Sequence, residues 1–149
     1  MRAVPVALVL AATLVLGATA HATSAGTTVK VVYDTTLDAK IVVDGTGVAL
    51  YAFDADPRGG TACSDRFCSS HSAPLLGPVK AGSGVSASLV GTFKRSDGKL
   101  QVTYNGHALY YFRGAASSPA DRKPGQLNGQ GYITAFWVLN PRGRPIRHL

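Results

Sequence analysis

Gly47–Phe53 reads GVALYAF and Gly106–Phe112 reads GHALYYF, two versions of one phrase set 59 residues apart. Extended back to Lys40 and Lys99, the two fourteen-residue windows align without a gap and share seven identities: Lys, Val, Gly, Ala, Leu, Tyr and Phe. An internal duplication accounts for this. Each copy runs from apolar residues through a Gly turn into a second apolar run, which is a β-hairpin signal. In the second run of the first copy, Ala49, Tyr51 and Phe53 fall on one face and Val48, Leu50 and Ala52 on the other. Both faces are apolar, so this strand is expected to be covered on both sides.

The surrounding chain extends the pattern. Val29–Tyr33 and Ile41–Val43 read as strands, with Asp44-Gly45-Thr46-Gly47 as the turn into Val48–Phe53. Asp56-Pro57-Arg58-Gly59-Gly60 ends that strand, because Pro cannot donate to a ladder and Gly suits a turn. Thr61–Gly84 is irregular and reads as a loop anchored by Leu75 and Leu76, with at most a helical turn near Ser69–Ser72. Ser88–Arg95, Leu100–Tyr104 and Ala108–Phe112 read as a three-stranded antiparallel meander. Its second turn is Asn105-Gly106, a pair suited to the positive φ angles of a tight hairpin. Arg113–Gly131 is rich in Pro, Gly and Ser and reads as a long loop, and Ile133–Leu139 as the closing strand. The expected fold is all-β: a small antiparallel, barrel-like domain with long loops, built from two related hairpin repeats at about 40–77 and 99–143. Pairing one repeat's open edge with the other's would hide both edges.

The first residues carry a different signal. Met1-Arg2 precede an apolar run, Ala3–Leu16, and Ala18-Thr19-Ala20 offers a small-x-small cleavage site. Residues 1–20 are expected to be a signal peptide and 21–28 a flexible lead-in to a single domain at 29–149. Cleavage after Ala22 fits equally well. The run is too short for a membrane span, and no cysteine stands where a lipid anchor would attach. Export to an oxidising compartment makes Cys63 and Cys68, the only cysteines, a natural disulfide.

The net charge is +7, and +6 without Arg2. Such a balance favours anionic partners, which outside the cell means wall polymer, lipid headgroups or polysaccharide; a basic surface that serves only solubility is the alternative. Nucleic acid is the poorer fit, because zinc-finger spacing, a helix-turn-helix pattern and an RNA-binding aromatic signature are all missing. No catalytic motif of the Gly-x-Ser-x-Gly or His-Glu-x-x-His kind occurs, so an enzyme is not expected. Cys63, Cys68 and His71, with His107 as a distant fourth, are weak candidates for copper or zinc, since an oxidised pair cannot ligate. Asp54, Asp56 and Asp65 loosely fit a calcium loop, but Arg58 stands where an oxygen ligand is required. Tyr51, Phe53, Tyr110 and Phe112 read as core aromatics, with a ligand platform for a sugar or cofactor ring as the sharper alternative. No cofactor is expected, and Cys-x-x-Cys-His is absent.

Tyr51-Ala52-Phe53-Asp54-Ala55-Asp56, the cysteine pair and the following Pro-Leu run resemble a bacterial secreted repeat of unknown function, the predicted lipoproteins with a Tyr-x-aromatic-x-x-Asp motif. The likeness continues through Lys94–Gly98, Gln101–Phe112, Lys123-Pro124-Gly125, Asn128–Gly131 and Trp137. It maps the motif onto Tyr51, Phe53 and Asp56, and onto Tyr110 and Phe112. This chain departs from the pattern at Ala115, where the second copy's Asp would fall, at Ser72-Ala73 before Pro74, and in lacking a lipid-attachment cysteine. The resemblance implies an exported, envelope-associated protein and brings no activity. A binding module is the leading expectation. An extracellular redox or metal protein and a structural wall protein are the alternatives.

Overall fold

Two short apolar runs joined by a tight turn make a hairpin, and two such hairpins set the topology. The computed structural model describes residues 27–149. The expected signal peptide lies outside the described residues, as does the lead-in except Thr27 and Thr28, which open the first strand. The strands are β1 (Thr27–Asp34), β2 (Ala39–Asp44), β3 (Tyr51–Phe53), β4 (Ser72–Pro74), β5 (Val79–Ala81), β6 (Val90–Lys94), β7 (Leu100–Tyr104), β8 (His107–Ala108), β9 (Tyr110–Phe112) and β10 (Phe136–Val138). One six-residue helix, α1 (Arg66–His71), interrupts them.

The strands form three small sheets, ordered β2-β1-β5, β10-β3-β9-β4 and β6-β7-β8. All pairings are antiparallel except β1 with β5. Backbone hydrogen bonds stitch the sheets together: Val42 N–H to the Leu139 carbonyl at one seam, and Val102 N–H to the Leu75 carbonyl and Gly77 N–H to the Leu100 carbonyl at the other. No barrel closes among the described residues.

The central sheet is palindromic. Tyr51 pairs with Tyr110, its own counterpart 59 residues on. Outside β3, Phe136, Trp137 and Val138 face Phe53, Ala52 and Tyr51. Outside β9, Ser72, Ala73 and Pro74 face Phe112, Tyr111 and Tyr110 in the same register. A pseudo-two-fold axis therefore passes between the two tyrosines, and β4 is the counterpart of β10. Trp137 thus corresponds to Ala73. The gapless alignment needs one adjustment. Val43 bridges Ala49, whereas Thr103 pairs with Ala108, so the first copy's turn is one residue longer. Val42, not Val43, is the structural partner of Val102, as their own seam hydrogen bonds also show.

The expected meander is corrected at Leu109. The run does not continue as one strand: β8 ends at Ala108, and β9 leaves for the central sheet. Leu109 is fully buried, its N–H bonds back to Val102, and its carbonyl accepts from Leu75 N–H and the Gln101 side chain. The chain must bend there to satisfy both sheets. The Asn105-Gly106 turn is as expected, with φ of 47° and 76°. The closing strand is shorter than Ile133–Leu139, because Tyr132–Thr134 forms a 3-10 turn in which Ile133 and Thr134 adopt positive φ. The loop after the cysteines also holds more order than expected, supplying α1, β4 and β5.

The two-sided pattern of the central strands is met by two cores. Ala49, Tyr51, Ala108, Tyr110, Phe112 and Phe136 fill one; Leu50, Ala52, Leu75, Val102, Tyr104 and Leu109 fill the other. Leu50 and Leu109 are symmetry counterparts, both with no exposed surface. Leu50→Ala and Leu109→Ala are each expected to cost about 2–5 kcal/mol by urea unfolding, and Leu100→Ala, at a position 43% exposed, well under half of that.

Candidate functional site

At the pseudo-two-fold axis each copy's tyrosine reaches into the other copy's loop. The Tyr110 hydroxyl donates to Asp56 at 2.7 Å and accepts from Thr61 at 2.6 Å. The Tyr51 hydroxyl donates to Asp121 at 2.5 Å. Asp56 also accepts from Ala62 N–H. Asp121, itself buried, accepts from Asn128 N–H, the Asn128 side-chain amide and Gly129 N–H. The motif's aspartate is thus a loop organiser that takes its hydroxyl donor from the opposite repeat.

Asp121 performs in the second copy the task expected at the position of Ala115. In both copies the aspartate N–H returns to a Phe carbonyl, Asp56 to Phe53 and Asp121 to Phe112. The second copy inserts six residues, 115–120, folded back by paired hydrogen bonds between Ala115 and Ser118. A gapless alignment runs past the acid. The Asn128–Gly129 segment of the resemblance donates to Asp121 and packs against the Tyr51 ring. A Cβ on Gly129 would lie 2.7 Å from Phe112 Cβ and 2.9 Å from Tyr51 Cζ.

Of the sequence-selected residues, Tyr51, Tyr110 and Phe112 are buried and Phe53 partly so. Tyr51 meets Phe112 edge-on at 6.4 Å, Tyr110 meets Phe136 edge-on at 6.3 Å, and Phe53 stacks on Phe136 at 4.7 Å. These rings pack the core. Cys63 and Cys68 are joined, and both sulfurs lie against the Ser72 hydroxyl. Asp65 caps α1 by accepting from Cys68 N–H. His71 stacks on Tyr132 and meets Phe67 at a tilt. His107 lies elsewhere, accepting from Arg58 at Nε2, 3.0 Å away. Burial and then the Arg58 guanidinium push the His107 pKa down. The structure therefore does not bring Cys63, Cys68, His71 and His107 together. Among the described residues no group of three or more His, Cys, Asp or Glu is placed to hold a metal. Asp54, Asp56 and Asp65 likewise serve separate partners. Asp54 accepts from Trp137 Nε1 and from both terminal nitrogens of Arg147.

A wider pattern holds for the charges. All eight acids are aspartates, and each carboxylate accepts an internal hydrogen bond. The described residues include fourteen Lys and Arg, of which only Arg95 and Arg147 form ion pairs. Composition showed the excess of cations, but not that every acid is engaged in a hydrogen bond within the fold.

Two cavities open on this surface. One, of about 270 Å³, lies between β1–β2 and the Pro124–Leu127 loop and includes Lys30, Tyr33 and Gln126. The other, of about 370 Å³, lies between Val48 and the Arg113–Arg122 segment.

The hydrogen-bonded tyrosines carry two measurable consequences. Burial first, then the adjacent aspartate, raises Tyr51 above its ordinary value of 10.0. Burial likewise leads for Tyr110 and Tyr111, whose hydroxyls bond Asp56 and Asp44. A pKa raised on folding gives stability that is complete below the unfolded value and is lost as pH rises past it. Absorbance titration should therefore leave these three tyrosines protonated beyond the normal range until the chain unfolds, with stability falling above about pH 10. Replacing Asp121 by Ala strands a hydroxyl and three amide donors and should cost about 3 kcal/mol or more. Tyr51→Phe, which leaves Asp121 its amides, should cost about 1–2 kcal/mol in the same denaturant assay.

Residues 91–139 match the model of a family described as a secreted repeat of unknown function. No curated protein and no solved structure matches the chain. The matched segment runs from β6 through Leu139, which is the second structural copy together with its six-residue insertion and closing strand. Over these residues, about a third of its length, the chain is similar to the family of secreted repeats of unknown function.

Proposed function

We propose that the protein is an exported, non-enzymatic binding module that engages an anionic component of the cell envelope. One observation carries the reading: twelve of the fourteen described Lys and Arg side chains have no carboxylate partner, while every aspartate is held by hydrogen bonds within the fold. The positive charge is therefore left to face outward, where it attracts polyanions over the screening length of the medium. The secreted character of the matched family supports an extracytoplasmic setting. Among the described residues no helix is long and apolar enough to cross a membrane.

The central aromatics are fully used as core, and the one disulfide is packed under Ser72. This favours binding by the surface over chemistry at the aromatic faces. Retention of the protein on immobilised anionic wall polymer, followed through a salt gradient, tests the reading. Retention that falls steeply between about 0.05 and 0.5 M salt is expected, as the screening length shrinks from well over 10 Å toward 3 Å. Absent or salt-indifferent retention counts against it.

A further inference from the structure

The cavity beside the second copy's insertion is more than a dent in a basic surface. Arg113 and Arg122 stand at its rim, both exposed. Neither guanidinium has a carboxylate or other hydrogen-bond partner among the described residues. Their backbone N–H groups are used instead, to His71 O and Gln126 Oε1. Val48, Phe112 and Ala120 supply an apolar wall. Asp121 also lines the cavity, but its two oxygens already accept four hydrogen bonds, so it offers an incoming anion little unscreened charge. Tyr111 likewise lends its hydroxyl to Asp44.

Two planar, unpaired guanidiniums suit the two oxygens of a carboxylate or the oxygens of a phosphate or sulfate. The apolar wall suits the C–H face of a sugar ring. Segments 46–48 and 122–124 wall this cavity and also the neighbouring groove: Val48 and Arg122 line one, Thr46, Gly47 and Pro124 the other. Gly47 touches Pro124 between them, where a Cβ would lie 3.0 Å from the proline ring. Adjacent sites sharing their walls fit successive units of a chain better than a lone small ion.

We propose that the Arg113–Arg122 cavity is a binding site for an acidic sugar unit of an anionic polysaccharide. It deepens the envelope-binding reading and rests on it. It adds a located site and a ligand class where that reading requires only diffuse positive charge.

The test is calorimetric titration of the protein with a hexamer of galacturonic acid, and with a neutral glucose hexamer, at about 0.15 M salt, where the screening length is about 8 Å. Arg113→Ala/Arg122→Ala is compared with Lys80→Ala/Lys94→Ala, which removes the same charge from exposed strand positions that line neither cavity. Unchanged unfolding midpoints confirm that both variants fold. The uronate hexamer should bind the parent protein and the neutral hexamer should not. The arginine pair should lose about tenfold or more in affinity, and the lysine pair about twofold or less. Equal losses in the two variants overturn the site while leaving the charge-driven reading intact. Equal binding of the neutral hexamer, or no binding of uronate by a parent protein still retained on wall polymer, overturns the ligand class.

Discussion

Two hydrogen bonds that cross the pseudo-two-fold axis hold the halves of this fold in register. β3 and β9 share one registered pair, Tyr51 with Tyr110, which is a thin backbone seam for joining two repeats. The side chains make up the difference. Each tyrosine passes its hydroxyl proton toward an aspartate of the other copy, and each aspartate gathers the amides of its own loop. Loss of the acid is the costlier of the two, because it strands the hydroxyl and the loop amides together. A buried hydroxyl without an acceptor, or a buried carboxylate without donors, costs more than the net gain of an ordinary hydrogen bond. The brace therefore ties the loops at 56–62 and 121–129 to the pairing of the repeats.

That use of aspartate explains the electrostatic character of the whole molecule. A short carboxylate reaches the amides two to four residues on, which is why Asp34, Asp44, Asp65 and Asp97 also close turns or cap α1. There is no glutamate to extend outward and balance the surface. Exposed Lys and Arg contribute little to stability, so their retention in such excess is not required by the fold. The acids hold the fold together, and the cations are what remains on the surface for partners to meet.

Much of the scaffold was legible in the residues, and the failures have physical causes. The duplicated phrase, the Asn105-Gly106 hairpin and the double-faced strand at Ala49–Phe53 are local patterns, and local patterns survive into the fold. What could not be read was where a strand changes sheets. Leu109 looks like any strand interior residue, yet hydrogen bonds from both neighbouring sheets break the strand there. Ile133 and Thr134 are β-branched and read as strand, but the chain turns through positive φ at both to bring Phe136 beside Phe53. The site was half visible. The motif tyrosines and Asp56 stood out, while Asp121 was hidden behind a six-residue insertion that a fixed offset cannot cross. A search for an acid downstream of Phe112, freed from the offset, would have found it.

The places where the copies differ say more about use than the places where they agree. Symmetry is strictest at the tyrosines and at Leu50 and Leu109, which serve the fold alone. It breaks first at the position shared by Phe136 and Ser72. There one copy spends a ring, and the other a serine with a disulfide packed against it. It breaks again at residues 115–120, present in one copy only. The second break sets Ala120 and Arg122 opposite Val48 and opens the larger cavity beside Arg113. A strictly symmetric pair would present the same surface twice. The insertion gives the molecule one face unlike the other, and that face carries two arginines the fold itself does not employ. The insertion thus changes the surface while its acid, Asp121, still makes the bond that Asp56 makes in the other copy.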